Sequence, residues 1–268
     1  MSNILSRKGR ILLQELVKTD FKLRYQGSFL GHLWSILKPL MLFAIMYVVF
    51  VKFLKFGGDI PHFAVALLLG NVLWGFFSEA TGFGMQAIVT RGDLLRKINF
   101  PKYIVVVSAT INALINLAIN LVVVLIFAAF NGVQFTWLVL LAPLLILELY
   151  ALSLGIALLF SGFYVKFRDV APLWEIFMQG LFYATPIFYP ITMIAAFSPM
   201  IEKIMMLSPI AQIIQDLRFV LISQENATTW GLIDNFWIAI IPLVLVVGFL
   251  VAGSLYFKKH SSKFAEIL

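Results

Sequence analysis

No cysteine occurs in the 268 residues, which excludes a disulfide framework and any thiolate metal site. Charge is scarce as well. Asp, Glu, Lys and Arg make up only 12% of the chain, too little to cover the surface of a soluble domain this long. The three histidines, His32, His62 and His260, stand far apart, and neither HExxH nor GxSxG occurs. The common zinc-hydrolase and nucleophile-elbow chemistries therefore have no carrier. No Gly-Lys dipeptide exists, so ATP binding through a Walker A loop is excluded. The N-terminal region also lacks the short apolar core of a signal peptide, and the N-terminus is expected to be retained.

What is abundant is apolar: 62% of residues are hydrophobic and the mean hydropathy is +0.98. A hydrocarbon core about 30 Å thick needs roughly 20 apolar residues per helix. On that ruler six spans are expected, near Pro39–Phe56, Phe63–Gly84, Tyr103–Phe130, Thr136–Gly162, Leu173–Tyr189 and Asn235–Phe257. The fold class is all-α, a polytopic membrane protein forming one transmembrane domain over residues 1–268. The net charge of +7 does not point to nucleic acid, because the basic residues lie between apolar runs and form no patch on a polar domain. Sixteen of the 20 Lys and Arg residues fall in the N-terminal segment, the second and fourth loops and the C-terminal tail. The positive-inside rule then places both termini in the cytoplasm, as an even number of spans requires.

Four segments outside the spans carry pattern. In Ile4–Leu23, Leu5, Leu12, Leu16 and Leu23 share one helical face, with Arg7, Arg10, Gln14 and Lys18 opposite. Residues 4–24 are expected to form an amphipathic helix in the membrane interface. In Thr90–Pro101, Thr90 and Asp93 fit a capping box, Leu94, Leu95 and Ile98 form an apolar stripe, and Pro101 is a stop. Residues 90–101 thus read as a short cytoplasmic helix. The loop Tyr164–Pro172 carries Lys166, Arg168 and Asp169. Residues 190–226 are apolar but broken by Pro190, Pro199 and Pro209, which predicts two short re-entrant helices on the outer side. Within the spans, Glu79, Glu148 and Glu175 each face a cost of about 2.5–3.5 kcal/mol at a helix centre and must find protein or water. Glu79 and Glu148 are candidates for a polar lining or an interhelical bond.

The stretch Asp20–Leu40, DFKLRYQGSFLGHLWSILKPL, resembles the start of ABC exporter permeases that move lipid-linked polysaccharides, including O-antigen, teichoic acid, capsule and rhamnose-rich carriers. LLRKINFPKY (Leu94–Tyr103) is similar to that family's first coupling helix and FRDV (Phe167–Val170) to its second cytoplasmic contact. TPIFYP (Thr185–Pro190) and LSPIAQIIQDLR (Leu207–Arg218) resemble the end of its fifth span and its outer gate helices.

The resemblance implies a machine of two copies of this chain, a homodimer, above two copies of a separate ABC ATPase in a bacterial inner or plasma membrane. This chain would hold no cofactor, and ATP and magnesium would bind the partner. Asp93, Leu94, Leu95, Arg96, Lys97, Phe100, Phe167, Arg168 and Asp169 would couple to the ATPase. Lys22, Arg24, Tyr25 and Lys38 would meet the headgroup of a polyprenyl-diphosphate-linked glycan. Trp74, Phe76, Phe77, Phe182, Tyr183, Phe188 and Tyr189 would be aromatics facing the channel. Pro209, Ile213, Leu217 and Arg218 would belong to the outer gate. Two other readings share the composition. A drug or small-molecule exporter would have the same architecture. A self-sufficient secondary transporter would need inverted repeats and an ion-coupling acid, and no repeat of one half in the other is visible.

Overall fold

A computed structural model describes residues 7–24, 26–57, 60–98 and 100–264, and among these all regular structure is helical. An amphipathic helix α1 (Arg7–Leu23) precedes a first membrane run, Gly31–Phe53. That run contains a 3₁₀ turn (Gly31–Leu33), helix α2 (Trp34–Met46) and a π-helical end (Tyr47–Phe53). Then come α3 (Phe63–Thr90), the short α4 (Gly92–Lys97) and α5 (Tyr103–Phe130). A 3₁₀ turn (Trp137–Leu141) leads into α6 (Ala142–Lys166), followed by α7 (Val170–Ala184). Three short helices follow: α8 (Ile191–Phe197), α9 (Pro199–Met206) and α10 (Pro209–Leu221). The chain closes with α11 (Thr229–Leu232), α12 (Phe236–Ala239) and α13 (Ile241–His260).

Five runs are long and apolar enough to cross a membrane: Gly31–Phe53, α3, α5, Trp137–Lys166 and Phe236–His260. The pair α9 and α10, bent by 95°, is a broken or re-entrant sixth. This is a multi-pass membrane protein. Helix α7, at 15 residues, rises only about 22 Å, short of a hydrocarbon core of about 30 Å. The segment expected as the fifth span thus contains α7, too short to cross alone, followed by the irregular stretch Thr185–Pro190.

Helix α3 is the axis of the bundle, buried along most of its length and packed on α5 and α6. Its neighbour α6 meets α13 closely at two glycines. A Cβ on Gly155 would stand 2.6 Å from the Leu250 nitrogen, and one on Gly253 would overlap the Gly155 carbonyl. Small residues at such crossings let backbones approach where no hydrophobic effect drives helices together. A second apolar cluster at one end ties α1 (Leu16) to Ile88, Leu95, Ile104, Val165, Phe257 and Phe264. Lys102 Nζ donates to the Ser261 carbonyl at 2.6 Å, so the beginning and the end of the described chain lie at the same end of the bundle as α4.

The sequence boundaries needed three corrections, each with a local cause. The first run begins at Gly31, and Pro39 lies inside α2. A proline there removes the N–H that would bond the carbonyl four residues earlier, which is that of Ser35. Asn120 Nδ2 of α5 donates to this oxygen at 3.1 Å, and Asn71 Nδ2 of α3 reaches the Pro39 carbonyl at 3.4 Å. The bond the proline removes is thus replaced from a neighbouring helix. Second, Thr90 does not cap α4, because α3 runs on to it and its Oγ1 bonds the Gln86 carbonyl at 3.0 Å. Helix α4 is accordingly only Gly92–Lys97, without a side-chain cap. Third, residues 190–226 form three short membrane-side helices (α8–α10) where two were expected. Pro199 and Pro209 each sit in the first turn of a helix, where a missing N–H costs nothing.

The Gly155–Gly253 crossing predicts that Gly253→Ala lowers the thermal unfolding temperature of the detergent-solubilised protein, for a loss of about 1–3 kcal/mol. Gly248→Ala, whose Cβ would meet nothing within 4 Å, is expected to leave it unchanged. Equal stability of the two variants would contradict this packing.

Candidate functional site

Three regions gather the chemistry-bearing residues, and the first was only partly anticipated. Helix α5 carries Ser108, Asn112, Asn116 and Asn120 at four-residue intervals, a polar stripe in an otherwise apolar helix, all four buried. Opposite it on α3 stands Glu79. Asn116 Nδ2 donates to both Glu79 oxygens, at 3.0 and 3.2 Å, and Arg24 Nη1 bonds Oε1 at 2.6 Å. The Arg24 guanidinium also lies 5.5 Å from the Phe83 ring centre. Glu79 thus finds the interhelical partner its burial demanded. The pair is about one-fifth exposed on each side, so it is reachable from outside the bundle. Of the other residues expected at a lipid headgroup, Lys22 and Lys38 are exposed, and Tyr25 lies outside the described residues.

The second region is the α4 end. Asp20 of α1 pairs with Arg91 at the α3–α4 junction, pinning the amphipathic helix there. Burial lowers the Arg91 pKa from its ordinary value, but an arginine so placed remains charged at neutral pH. On α4, Leu95 is buried in the second cluster and Leu94 is partly buried, as is Phe100 just beyond the helix. Asp93, Arg96 and Lys97 project outward. Helix α6 runs antiparallel to α5, so the α6–α7 turn with Phe167, Arg168 and Asp169 falls at the same end, all three exposed. Arg168 lies 5.0 Å from the Tyr164 ring centre and Lys166 5.0 Å from that of Phe167. The two sequence-predicted contact elements therefore lie at the same end of the bundle, with α4 held by its apolar side and exposed on its polar side.

The third region is the opposite end. Ile213 and Leu217 are wholly buried in the main core, Pro209 is half-buried, and Arg218 is buried among backbone carbonyls. Within one chain these residues anchor α10 against α3 and α6 and do not line an open path. Most of the aromatics expected to face a channel form one continuous cluster. Phe188 touches Phe182, Tyr183 and Tyr189 at 5.6, 5.8 and 5.0 Å, Phe182 meets Trp74 at 5.5 Å, and Trp74 meets Phe77 at 5.8 Å. Phe50, not anticipated, joins at 4.6 Å from Phe188. Trp74, Phe76, Phe77 and Phe188 are buried, Phe182 and Tyr189 are half-buried, and only Tyr183 is freely exposed. Between α7 and the α6, α10 and α13 helices lies an apolar groove of about 530 Å³, with Phe160, Trp174 and Phe249 among its walls.

Membrane-crossing helices around a buried polar seam, with exposed charge at one end and a folded-back helix at the other, define a polytopic membrane protein. Residues 11–222 match the model of the ABC-2 type transporter family, and the chain belongs to that family. A protein of Myxococcus xanthus named O-antigen export system permease protein RfbA is 31% identical over 185 residues, covering 69% of this chain and 70% of the relative. Two Klebsiella pneumoniae proteins of the same name are 26% and 25% identical, each spanning 96% of this chain and 95% of its own length. Family membership implies a partner ATPase subunit.

Sequence reasoning singled out Glu79 but not its partners. The four-residue recurrence of asparagine in SATINALINLAIN was the available signal. Arg24 and Glu79, 55 positions apart, were joined only by the fold. A double-mutant cycle with Arg24→Gln and Glu79→Gln is expected to give a coupling of about 1–2 kcal/mol in thermal unfolding. Additive effects would show that the pair is not a bond in the folded protein.

Proposed function

We propose that this chain is the channel-forming, non-catalytic subunit of an ATP-driven exporter that moves lipid-linked polysaccharide out of the bacterial cytoplasm. The observation that carries this reading is similarity along 96% of the chain to proteins named as O-antigen export permeases. The α4 end is read as cytoplasmic because most of the Lys and Arg residues flank it, which places both termini inside the cell.

Helix length supports the same reading. Helices α3 and α5, at 28 residues each, rise about 42 Å, some 12 Å more than the hydrocarbon core. The excess would stand below the membrane as a stalk, carrying α4 and Phe167–Asp169 to an ATPase, with α1 lying along the interface beside it. The face formed by Ile176, Phe177 and Tyr183 of α7, all exposed, is left for a second copy of the chain or for lipid. Two chains above two ATPases would then enclose a path wide enough for a glycan. The Arg24–Glu79 pair fits the headgroup role, since an arriving diphosphate is a stronger partner for the guanidinium than the carboxylate it would displace.

Charge reversal of the outward cations tests the coupling assignment. In the complex of chain and ATPase, Arg96→Glu with Lys97→Glu is expected to reduce polysaccharide export to background while ATP hydrolysis and membrane insertion persist. Export at the unaltered level would remove α4 from the coupling path.

A further inference from the structure

Arg218 is the largest fully buried side chain of the described protein, and no carboxylate lies within ion-pair distance of it among the described residues. A bare guanidinium in that position would be strongly unfavourable. It is held by backbone oxygens from two other parts of the chain and by one side chain of its own helix. Nε donates to the Ala66 carbonyl of α3 at 3.1 Å. Nη1 donates to the Pro186 carbonyl at 2.6 Å and to Gln215 Oε1 at 3.2 Å, and Nη2 donates to the Ile187 carbonyl at 2.6 Å.

Two of those carbonyls belong to the irregular stretch that follows α7, where helical bonding has stopped and a backbone oxygen in an apolar setting needs a donor. The third emerges from α3 beside Gly70. A Cβ on Gly70 would stand 2.7 Å from Arg218 Nη2, so the absence of a side chain there is what admits the fork. Helix α10 packs on α3, α6, α13 and the Trp137–Leu141 turn, and among the described residues its polar bonds to the stretch after α7 are those of this one side chain.

We propose that Arg218 is the positioning residue of the outer gate, clamping α10 to α3 and to the end of α7 so that the three move as one block. Helix α7 starts at the Phe167–Asp169 turn and ends at the carbonyls that Arg218 grips. A displacement entering at the α4 end therefore reaches α10 through this clamp. The assignment rests on the reading of Leu207–Arg218 as the gate, but its test needs neither ATP nor cargo and so fails separately from the export reading.

Because the chain has no cysteine, single cysteines report local opening directly. Ala211→Cys probes α10, and Ser108→Cys, a near-isosteric change in buried α5, reports the remote core. Each is introduced into the full chain in membranes and reacted with a maleimide. In the unaltered background both should be protected. Adding Arg218→Gln should speed labelling at position 211 by about tenfold or more, with position 108 unchanged. Arg218→Lys, a point donor replacing a planar fork, should give an intermediate rate. Gly70→Ala should reproduce the effect without touching the arginine, whereas Gly75→Ala, whose Cβ meets nothing within 4 Å, should not. Continued protection at 211 in both the Arg218→Gln and Gly70→Ala chains would overturn the clamp. Parallel opening at 211 and 108 would also overturn it, by showing Arg218 to be a general brace of the fold.

Discussion

Inside a membrane every backbone oxygen that loses its helical partner must find another within the protein. The rest of this structure depends on meeting that demand at two places. In α2, Pro39 removes the donor for the Ser35 carbonyl, and Asn120 of α5 supplies one. After α7, helical bonding stops at the Pro-rich stretch, and Arg218 of α10 takes up the Pro186 and Ile187 carbonyls. Each repair adds an interhelical hydrogen bond to the packing that holds the two helices together. The repairs sit where a transporter needs defined geometry: beside the first run with its adjoining amphipathic helix, and at the folded-back helix of the opposite end.

Side-chain charge obeys the same rule. Glu79 on the buried axis α3 is held by Asn116 and Arg24, so a polar seam runs through α5, α3 and the residue that follows α1. Only the portion involving Arg24 reaches the surface, and that is where a lipid-borne phosphate could compete for it. The α4 end divides its residues differently. Leu16 and Leu95 share a cluster that fixes α1 and α4 to the bundle, and Arg96, Lys97 and Arg168 are left exposed.

Much of this architecture was legible in the sequence because hydropathy has a length scale. Tyr103–Phe130 appears in the structure with the bounds read from its apolar run, and the amphipathic division of the first helix holds for Leu12, Leu16, Arg10 and Lys18. Leu23 is an exception, exposed at the helix end. Long-range polar pairing was not legible. Arg218 reads only as a member of the outer gate, and its carbonyl partners, 31, 32 and 152 positions away, leave no trace in periodicity. Gly70 gave no signal either, since one glycine in a membrane helix is commonplace and only the approach of a guanidinium explains it. The aromatics of TPIFYP and α3 were recognisable as a group, but their mutual packing within one chain depends on how α7 ends.

The account stands on the chain acting as the membrane part of a larger ATP-driven assembly. Purifying the tagged chain from its native host in mild detergent, and identifying what accompanies it, tests this most directly. The predicted result is a stoichiometric nucleotide-binding ATPase, two copies with two copies of this chain. A preparation stable in several detergents that contains this chain and no nucleotide-binding partner would contradict the account and favour a transporter that works alone.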